Sequence, residues 1–365
     1  MTQQELNIQL QILLQQFKQD SLTSLGYPCN RDFDYNALEP FLKFHINNAG
    51  DPYHDSRCKV HTHHQEIEVI EYFIELMGGN IIDNWGYITN GSTEGNLQGL
   101  YMAREKYPQS MVYYSEDSHY SIPKNIKILG MKGRVIKSDI NGRIKVDNLI
   151  TQLNIDSCVI PIIVVNIGTT MKGAIDDLSS IKYELQKAGI KEYYIHVDAA
   201  LFGMILPFLP NHSIKYNFSH GIDSIAISGQ KVIGSPFPTG MLLTKKEHVQ
   251  NISTFIDYVN SYDTTITGSR NGLSALILWM AINTQDFEIK VLHMIDLANY
   301  TYNKLKPYLN VYREPCSPII WWTKKLPEVI LEKWQIAGNE IAHVVINSHM
   351  TEEVIDNFIA DIENF

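Results

Sequence analysis

Positive charge is in short supply in this chain. Thirty Lys and Arg stand against 40 Asp and Glu among 365 residues, a net charge of −10, and the basic side chains are scattered. Phosphate backbones are gripped by clustered cations, so this distribution argues against a nucleic-acid partner. Cysteine is scarcer still. Cys29, Cys58, Cys158 and Cys316 include no CxxC pair, which argues against a disulfide framework or a structural zinc site and fits a reducing compartment. No apolar run approaches the ~20 residues that span a bilayer, and the opening "MTQQELNIQLQILLQQF" is too rich in glutamine for a signal peptide. Internal repeats, low-complexity tracts, GxGxxG and GxxxxGK[ST] are missing too. These absences predict a soluble, cytoplasmic protein with no membrane or nucleic-acid partner.

What is present is ample core material: 44% of residues are hydrophobic and only 19% charged. At roughly 150 residues per domain, the length predicts two or three packed units. Leu6, Leu10, Leu13, Leu14 and Phe17 recur at helical spacing, so the chain opens with an amphipathic helix that needs another element or another subunit to cover it. Between about residues 90 and 245, short β-branched runs ("MVYYS", "CVIPIIVVNIG", "EYYIHVDAA", "SIAIS") alternate with helical segments such as "SSIKYELQKAG". Continuous apolar strands separated by helices predict an α/β domain with a mostly parallel sheet covered on both faces. From about residue 311, "VYREPCSPIIWWTKK" and "EIAHVVINSHM" read as strands of a smaller unit, and "TEEVIDNFIADIENF" as a helix capped by Thr351.

In open α/β sheets, ligands bind beyond the carboxyl ends of the strands. Four polar groups are expected there. Asp198 ends "IHVDAA", where a buried carboxylate calls for a cation. Lys231 follows the strand "SIAIS" in a stretch of serine, glycine and proline. "TNGSTEGN" carries Ser92 and Thr93 into a helix N-terminus, a place suited to an anion. His119 lies in "YYSEDSHYS". Each alone has an ordinary explanation as a cap, a surface residue or packing. Together they supply an anion cradle, a carboxylate, an aromatic plate and an amine, the set pyridoxal phosphate (PLP) requires.

The motifs "NNAGDPY", "GYITNGSTEGN", "YYSEDSHYS", "NIGTTMKGAIDD", "YYIHVDAAL", "GIDSIAISGQK", "IGSPFPTG" and "TTITGSRNG" follow in order over residues 40 to 285. In these the chain resembles the group II, fold-type I PLP-dependent amino acid decarboxylases, above all the bacterial histidine decarboxylase and plant serine decarboxylase branch. The resemblance implies a seven-stranded, mostly parallel sheet flanked by helices, with a small C-terminal α+β domain. The boundaries expected are an N-terminal helical arm over 1–57, a PLP-binding large domain over 58–285 and the small domain over 286–365. It also implies roles. Lys231 carries PLP as a Schiff base, Asp198 pairs with the pyridine nitrogen and keeps it protonated, Ala200 packs on one ring face and His119 stacks on the other. Ser92, Thr93 and Ser228 hold the phosphate with Gln230 beside them, and Thr170, with Asp176 behind it, lies near the ring's polar edge. Lys231, His119 and Asp198 are the expected catalytic residues. The resemblance further implies a homodimer whose active site is shared between subunits and whose N-terminal helices pack together.

The chain departs from the branch pattern at Gln230, where relatives carry histidine, at Leu273 in "SRNGL", and in "HTHHQEIE". The reaction expected is decarboxylation of an L-amino acid, with histidine the first candidate. Serine or another small polar amino acid, and oxidative deamination to an aldehyde, are the alternatives. His61, His63 and His64 lack carboxylate or cysteine partners at ligand spacing, so no metal is expected. Arg270 is expected at a dimer interface rather than on the substrate carboxylate, and Tyr258 and Tyr262 are weaker candidates for proton transfer to the substrate carbon.

Overall fold

Val, Ile and Tyr dominate the runs that become strands, and glycine, asparagine and serine end them. The computed structural model describes residues 1–156, 160–336, 338 and 340–364. Two compact units divide the chain: Met1–Pro28 with His293–Phe365, and Cys29–Leu292. The first begins with α1 (Gln3–Asp20). Cys29–Leu292 contains, in order, α2 (His63–Leu76), β1 (Asn84–Thr89), α3 (Ser92–Lys106), β2 (Met111–Ser115), α4 (Ser121–Ile128), β3 (Lys132–Ile136), α5 (Val146–Ile155), β4 (Pro161–Asn166), α6 (Leu178–Lys187), β5 (Tyr194–Asp198), β6 (Ser224–Ser228), β7 (Gly240–Lys245), α7 (Lys246–Val249), β8 (Thr254–Ile256), β9 (Ser261–Asp263) and α8 (Gly272–Thr284). Then come α9 (Phe287–Leu305), β10 (Val311–Tyr312), β11 (Ile319–Trp322), α10 (Glu328–Lys333), β12 (Ala342–Val345) and α11 (Glu352–Glu363).

The seven strands β1 to β7 form one sheet in the order β1-β7-β6-β5-β4-β2-β3. Only β7 runs against the rest: it pairs antiparallel with β1 and β6, while β6–β5, β5–β4, β4–β2 and β2–β3 are parallel. The expected mostly parallel seven-stranded sheet is therefore observed. Every residue of β1, β4, β5 and β6 is buried, as strands covered on both faces must be. One cluster joins Leu100 and Ala103 of α3 to Val112, Ile122, Ile126, Ile162, Val164 and Tyr194, and a second joins Trp85, Tyr87, Met102 and Leu242. At about 1.5–3 kcal/mol for each large apolar side chain buried, such layers hold the helices on the sheet. The strand expected within "CVIPIIVVNIG" is β4; Cys158 lies outside the described residues. Cys29, Cys58 and Cys316 form no disulfide among the described residues.

In the other unit β10, β11 and β12 form a small antiparallel sheet. Thr351 caps α11 by accepting a hydrogen bond from the Val354 N–H at 3.4 Å. The helix expected at the start is α1, closed by a reciprocal capping box between Thr2 and Glu5. None of its residues is buried, so the stripe Leu6, Leu10, Leu13, Leu14 and Phe17 is left exposed. No helix among the described residues is long and apolar enough to cross a membrane.

Candidate active site

The geometry begins at the carboxyl end of β5. Asp198 is 6% exposed, and its two oxygens have separate donors: the Asn96 amide at 2.8 Å and the Ala200 backbone N–H at 3.2 Å. Asn96 comes from the first turns of α3, four residues after Ser92 and so on the same helix face. The backbone ties the next strand to this one, since the Ser228 N–H donates to the Ala200 carbonyl at 3.1 Å.

Beyond Ser228 the chain reverses direction to form β7, and Lys231 sits in that turn. Gly229 is required there, because a Cβ on it would stand 2.3 Å from Thr239 Oγ1. The Lys231 side chain is half-buried, and desolvation pulls its amine below the ordinary lysine range against the opposing charges of Asp198 and Cys29. A lowered pKa leaves more of the amine in its neutral, nucleophilic form. The turn is braced from Cys29–Leu292's own first residues: the Asn30 amide donates to the Val232 carbonyl at 2.7 Å and the Tyr35 hydroxyl to the Gly234 carbonyl at 2.9 Å.

Facing the turn is the N-terminus of α3. Its N-cap is Gly91 at φ +93°, a residue with no side chain to cap the first turn. The orphan N–H groups and the positive end of the dipole are therefore available to an anion. The Ser92 and Ser228 hydroxyls meet there, 2.5 Å apart. Gln230 uses its Oε1 to accept the Thr239 N–H at 3.2 Å, which turns Nε2 towards the Gly91 bend, 3.9 Å from where a Cβ would stand. Thr93 is half-buried behind Ser92, with its carbonyl accepting from Asn125 at 2.9 Å. Thr239 Oγ1 is buried without a hydrogen-bond partner.

His119 follows β2. The Ser121 backbone N–H donates to its Nδ1 at 3.2 Å and the Ser121 hydroxyl lies 2.8 Å from the same atom, so the neutral ring carries its proton on Nε2. Burial lowers the His119 pKa; Asp198 opposes this, while Lys231 and Lys124 reinforce it. Lys231, Asp198 and His119 thus lie within electrostatic reach of one another.

Other expected residues fall elsewhere. Thr170 is exposed on the turn after β4, and no side-chain hydrogen bond among the described residues joins it to the group above. Asp176 is fully occupied: it accepts the Ile144 N–H at 2.7 Å and both the N–H and amide of Asn166 at 2.7 and 2.9 Å. Burial raises its pKa to about 6 in spite of those bonds. Arg270, expected at a subunit interface, is instead buried within Cys29–Leu292. It pairs with Glu66, donates to the Gly50 carbonyl at 2.9 Å, and lies over the Tyr87 ring. A guanidinium this far from solvent requires such a carboxylate, and the carboxylate also takes the Asn48 amide and the Ile88 N–H. His63 is buried, His64 pairs with Glu68 at 3.0 Å, and Leu273 lies in the first turn of α8, donating its N–H to the Asn271 cap. Tyr258 is largely exposed, and Tyr262 packs on Phe255 and His54.

An amine of lowered pKa, a carboxylate, a planar ring and an uncapped helix end thus share one end of the sheet. Residues 86–312 match the pattern described as the pyridoxal-dependent decarboxylase conserved domain. The chain belongs to the pyridoxal-dependent decarboxylase family. It is 42% identical over 346 residues to the histidine decarboxylase of Morganella morganii, covering 93% of this chain and 91% of that one. It is 43% identical over 351 residues to the histidine decarboxylase of Vibrio campbellii, covering 93% and 90%. Its fold matches L-methionine decarboxylase from Streptomyces sp. 590 at a TM-score of 0.90 and 22% identity, covering all of this chain and 95% of that one. Glutamate decarboxylase from Lactobacillus brevis matches at a TM-score of 0.82 and 17% identity. The architecture is fold type I, and this family member is a PLP-dependent amino acid decarboxylase. The residues fit that cofactor: the uncapped turn at Gly91, the paired serine hydroxyls and the unpartnered Thr239 hydroxyl suit an anionic group, and Lys231 suits an aldehyde.

Two residues of this site were not singled out from the sequence, Asn96 and His196. His196 precedes Asp198 by two positions on one strand, so both side chains leave the same face of β5. That spacing was readable in "YYIHVDAAL".

Proposed function

We propose that the protein decarboxylates L-histidine to histamine. The observation that carries this reading is the identity of 42–43% over 93% of the chain to proteins named histidine decarboxylase, on a chain that keeps lysine, aspartate and histidine at one sheet end. Lys231 is the amine that attaches the cofactor, and Asp198 faces the pyridine nitrogen and stabilises its proton. Ala200 and the neutral His119 ring cover the two faces. Ser92, Thr93, Ser228 and Gln230 hold the phosphate, and Thr170 serves the polar edge from its exposed turn. When bound, pyridoxal phosphate supplies the electron sink for the pair left as CO2 departs. The protein's own task is to hold that pyridinium proton with Asp198, to present a partly neutral amine at Lys231, and to keep the phosphate on the α3 N-terminus.

The working form is a cytoplasmic homodimer with a shared active site, in which the N-terminal helices α1 of the two subunits pack together. The exposed apolar stripe of α1 supports this, since most helical stability in proteins comes from packing an amphipathic face. The reaction is tested by incubating PLP-loaded protein with each of the twenty amino acids and following CO2, amines, ammonia and peroxide. Histamine with equimolar CO2 is expected from histidine alone, and Lys231→Ala should lose both turnover and the absorbance band of the lysine-bound cofactor. Ammonia and peroxide release, or an amine from serine in place of histamine, would overturn the reading.

A further inference from the structure

Behind Asp198 a row of buried polar side chains runs through the sheet. The Asn96 amide N–H donates to Asp198 Oδ2 at 2.8 Å, and an ionised carboxylate offers no hydrogen in return, so the amide orientation is set. Asn96 Oδ1 then faces His196 Nε2 at 2.9 Å, and an oxygen only accepts. His196 must carry its proton on Nε2, which leaves Nδ1 as an acceptor for the Ser224 hydroxyl at 2.8 Å. The Tyr194 hydroxyl donates to Ser224 Oγ at 3.0 Å. Every hydrogen in the row therefore points towards Asp198.

The row is also uncharged. His196 is fully buried, and burial depresses its pKa to about 4. A charged imidazolium here would draw the Asp198 charge away from the cofactor, whereas a neutral donor chain fixes the orientation of Asn96 without competing for that charge. Two glycines permit the arrangement. A Cβ at Gly99 would lie 2.5 Å from His196 Cε1 and Nδ1, and one at Gly95 would lie 3.0 Å from Ala226 Cβ. Without side chains at both positions, α3 settles on β5 and β6 closely enough for Asn96 to touch His196 and Asp198 together.

We propose that His196 is a positioning residue: set by Ser224 with its proton on Nε2, it locks the Asn96 amide onto Asp198 and so secures the proton that Asp198 holds on the cofactor's ring nitrogen. This rests on the role given to Asp198 above. Two measurements on the holoenzyme test it. Nitrogen-15 NMR of labelled histidine should show His196 neutral and protonated on Nε2 from pH 5.5 to 8.5. Ser224→Ala removes the donor to Nδ1 with little change in packing. In Asn96→Leu, which loses the bond to the Asp198 carboxylate, the ring nitrogen of bound, nitrogen-15-labelled PLP should titrate about one pH unit lower, the size expected for a lost hydrogen bond to a charged group, and in Ser224→Ala, which loses a bond to a neutral ring, it should shift the same way by about half as much. The kcat should fall about tenfold with KM unchanged, the pattern of an interaction made in the transition state. A His196 that titrates in that range, or carries its proton on Nδ1, would overturn the proposal. So would an unaltered ring-nitrogen titration in Ser224→Ala alongside a shifted one in Asp198→Asn. An unaltered titration in Asp198→Asn itself would remove the role of Asp198, and the proposal with it.

Discussion

Gln230 presents its amide to two neighbours with opposite needs. Its oxygen is taken by the Thr239 N–H, so only the N–H2 end is left to face the Gly91 bend. The resemblance to the decarboxylase branch implies histidine at this position. A neutral donor contributes about 0.5–1.5 kcal/mol and a charge-assisted one about 1.5–3. Glutamine should therefore hold the cofactor phosphate less tightly by about 1 kcal/mol, or roughly fivefold. Gln230→His is expected to tighten PLP binding below about pH 6.5, where imidazole is charged, and to leave it little changed at pH 8. Dissociation constants for both forms across pH 5.5–8 measure this, and equal values throughout would show that the side chain does not serve the phosphate. Lys231 and Asp198 were legible because a charged residue at the end of an apolar strand is conspicuous by its chemistry alone. Arg270 was not, because the partner that explains it, Glu66, is 204 positions away and reaches it only through the fold.

The helix α3 shows how one element carries both halves of the site. Its first turn offers unsatisfied N–H groups to an anion, and one turn later Asn96 grips Asp198. Glycine weakens a helix by about 1 kcal/mol against alanine, so Gly95 and Gly99 are retained for closeness and not for helicity. Gly99→Ala should therefore lose more by crowding than it gains in propensity, since overpacking costs about 1–3 kcal/mol. A lower urea midpoint together with a lowered kcat is expected. Gly268→Ala, with nothing within 4 Å of the new methyl and an ordinary φ, should leave the midpoint unchanged or slightly raised. Equal behaviour of the two variants would show that α3 has room to spare. The strands were readable from β-branched runs and α6 from "SSIKYELQKAG"; in the structure Asp177 caps that helix, accepting from the Ser179 and Ser180 N–H groups at 3.0 and 3.1 Å. The contact of α3 with β5 was not readable, because it depends on which helix face meets which strand.

Across the whole molecule, buried histidines shape the response to acid, with His119 shifted in the same direction as the three that follow. Burial lowers His63, His196 and His343 to about 4, below their unfolded value near 6.5. Between those limits the unfolded chain binds protons that the folded one refuses. Stability is then full above pH 6.5 and is lost as pH falls towards 4, by up to about 1.4 kcal/mol per pH unit for each group. Asp176, raised to about 6, works the other way between 6 and 4 and offsets one histidine. Urea midpoints at pH 7.5 and 5.0 should differ markedly, and His63→Gln with His343→Gln should shrink the difference; an unchanged difference would place the acid sensitivity elsewhere. The exposed stripe of α1 gives a second expectation at this scale. Leu10→Asp with Leu14→Asp should convert a dimer to a monomer in light scattering, and a dimer of undiminished stability would show that α1 lies outside the interface.

The placement of β7 between β1 and β6 also sets a timetable for synthesis. On a ribosome adding about 5–20 residues per second, β1 emerges roughly 8–30 s before the strand that pairs with it, because Thr89 and its partner Gly240 are about 150 residues apart. Throughout that interval β1 is an open edge, able to accept a strand from another nascent chain. Its pairing with β7 covers one side of β1, which stays an edge strand of the finished sheet, and brings the Ser92 and Ser228 hydroxyls together, so the growing chain acquires the proposed phosphate cradle only in that late step.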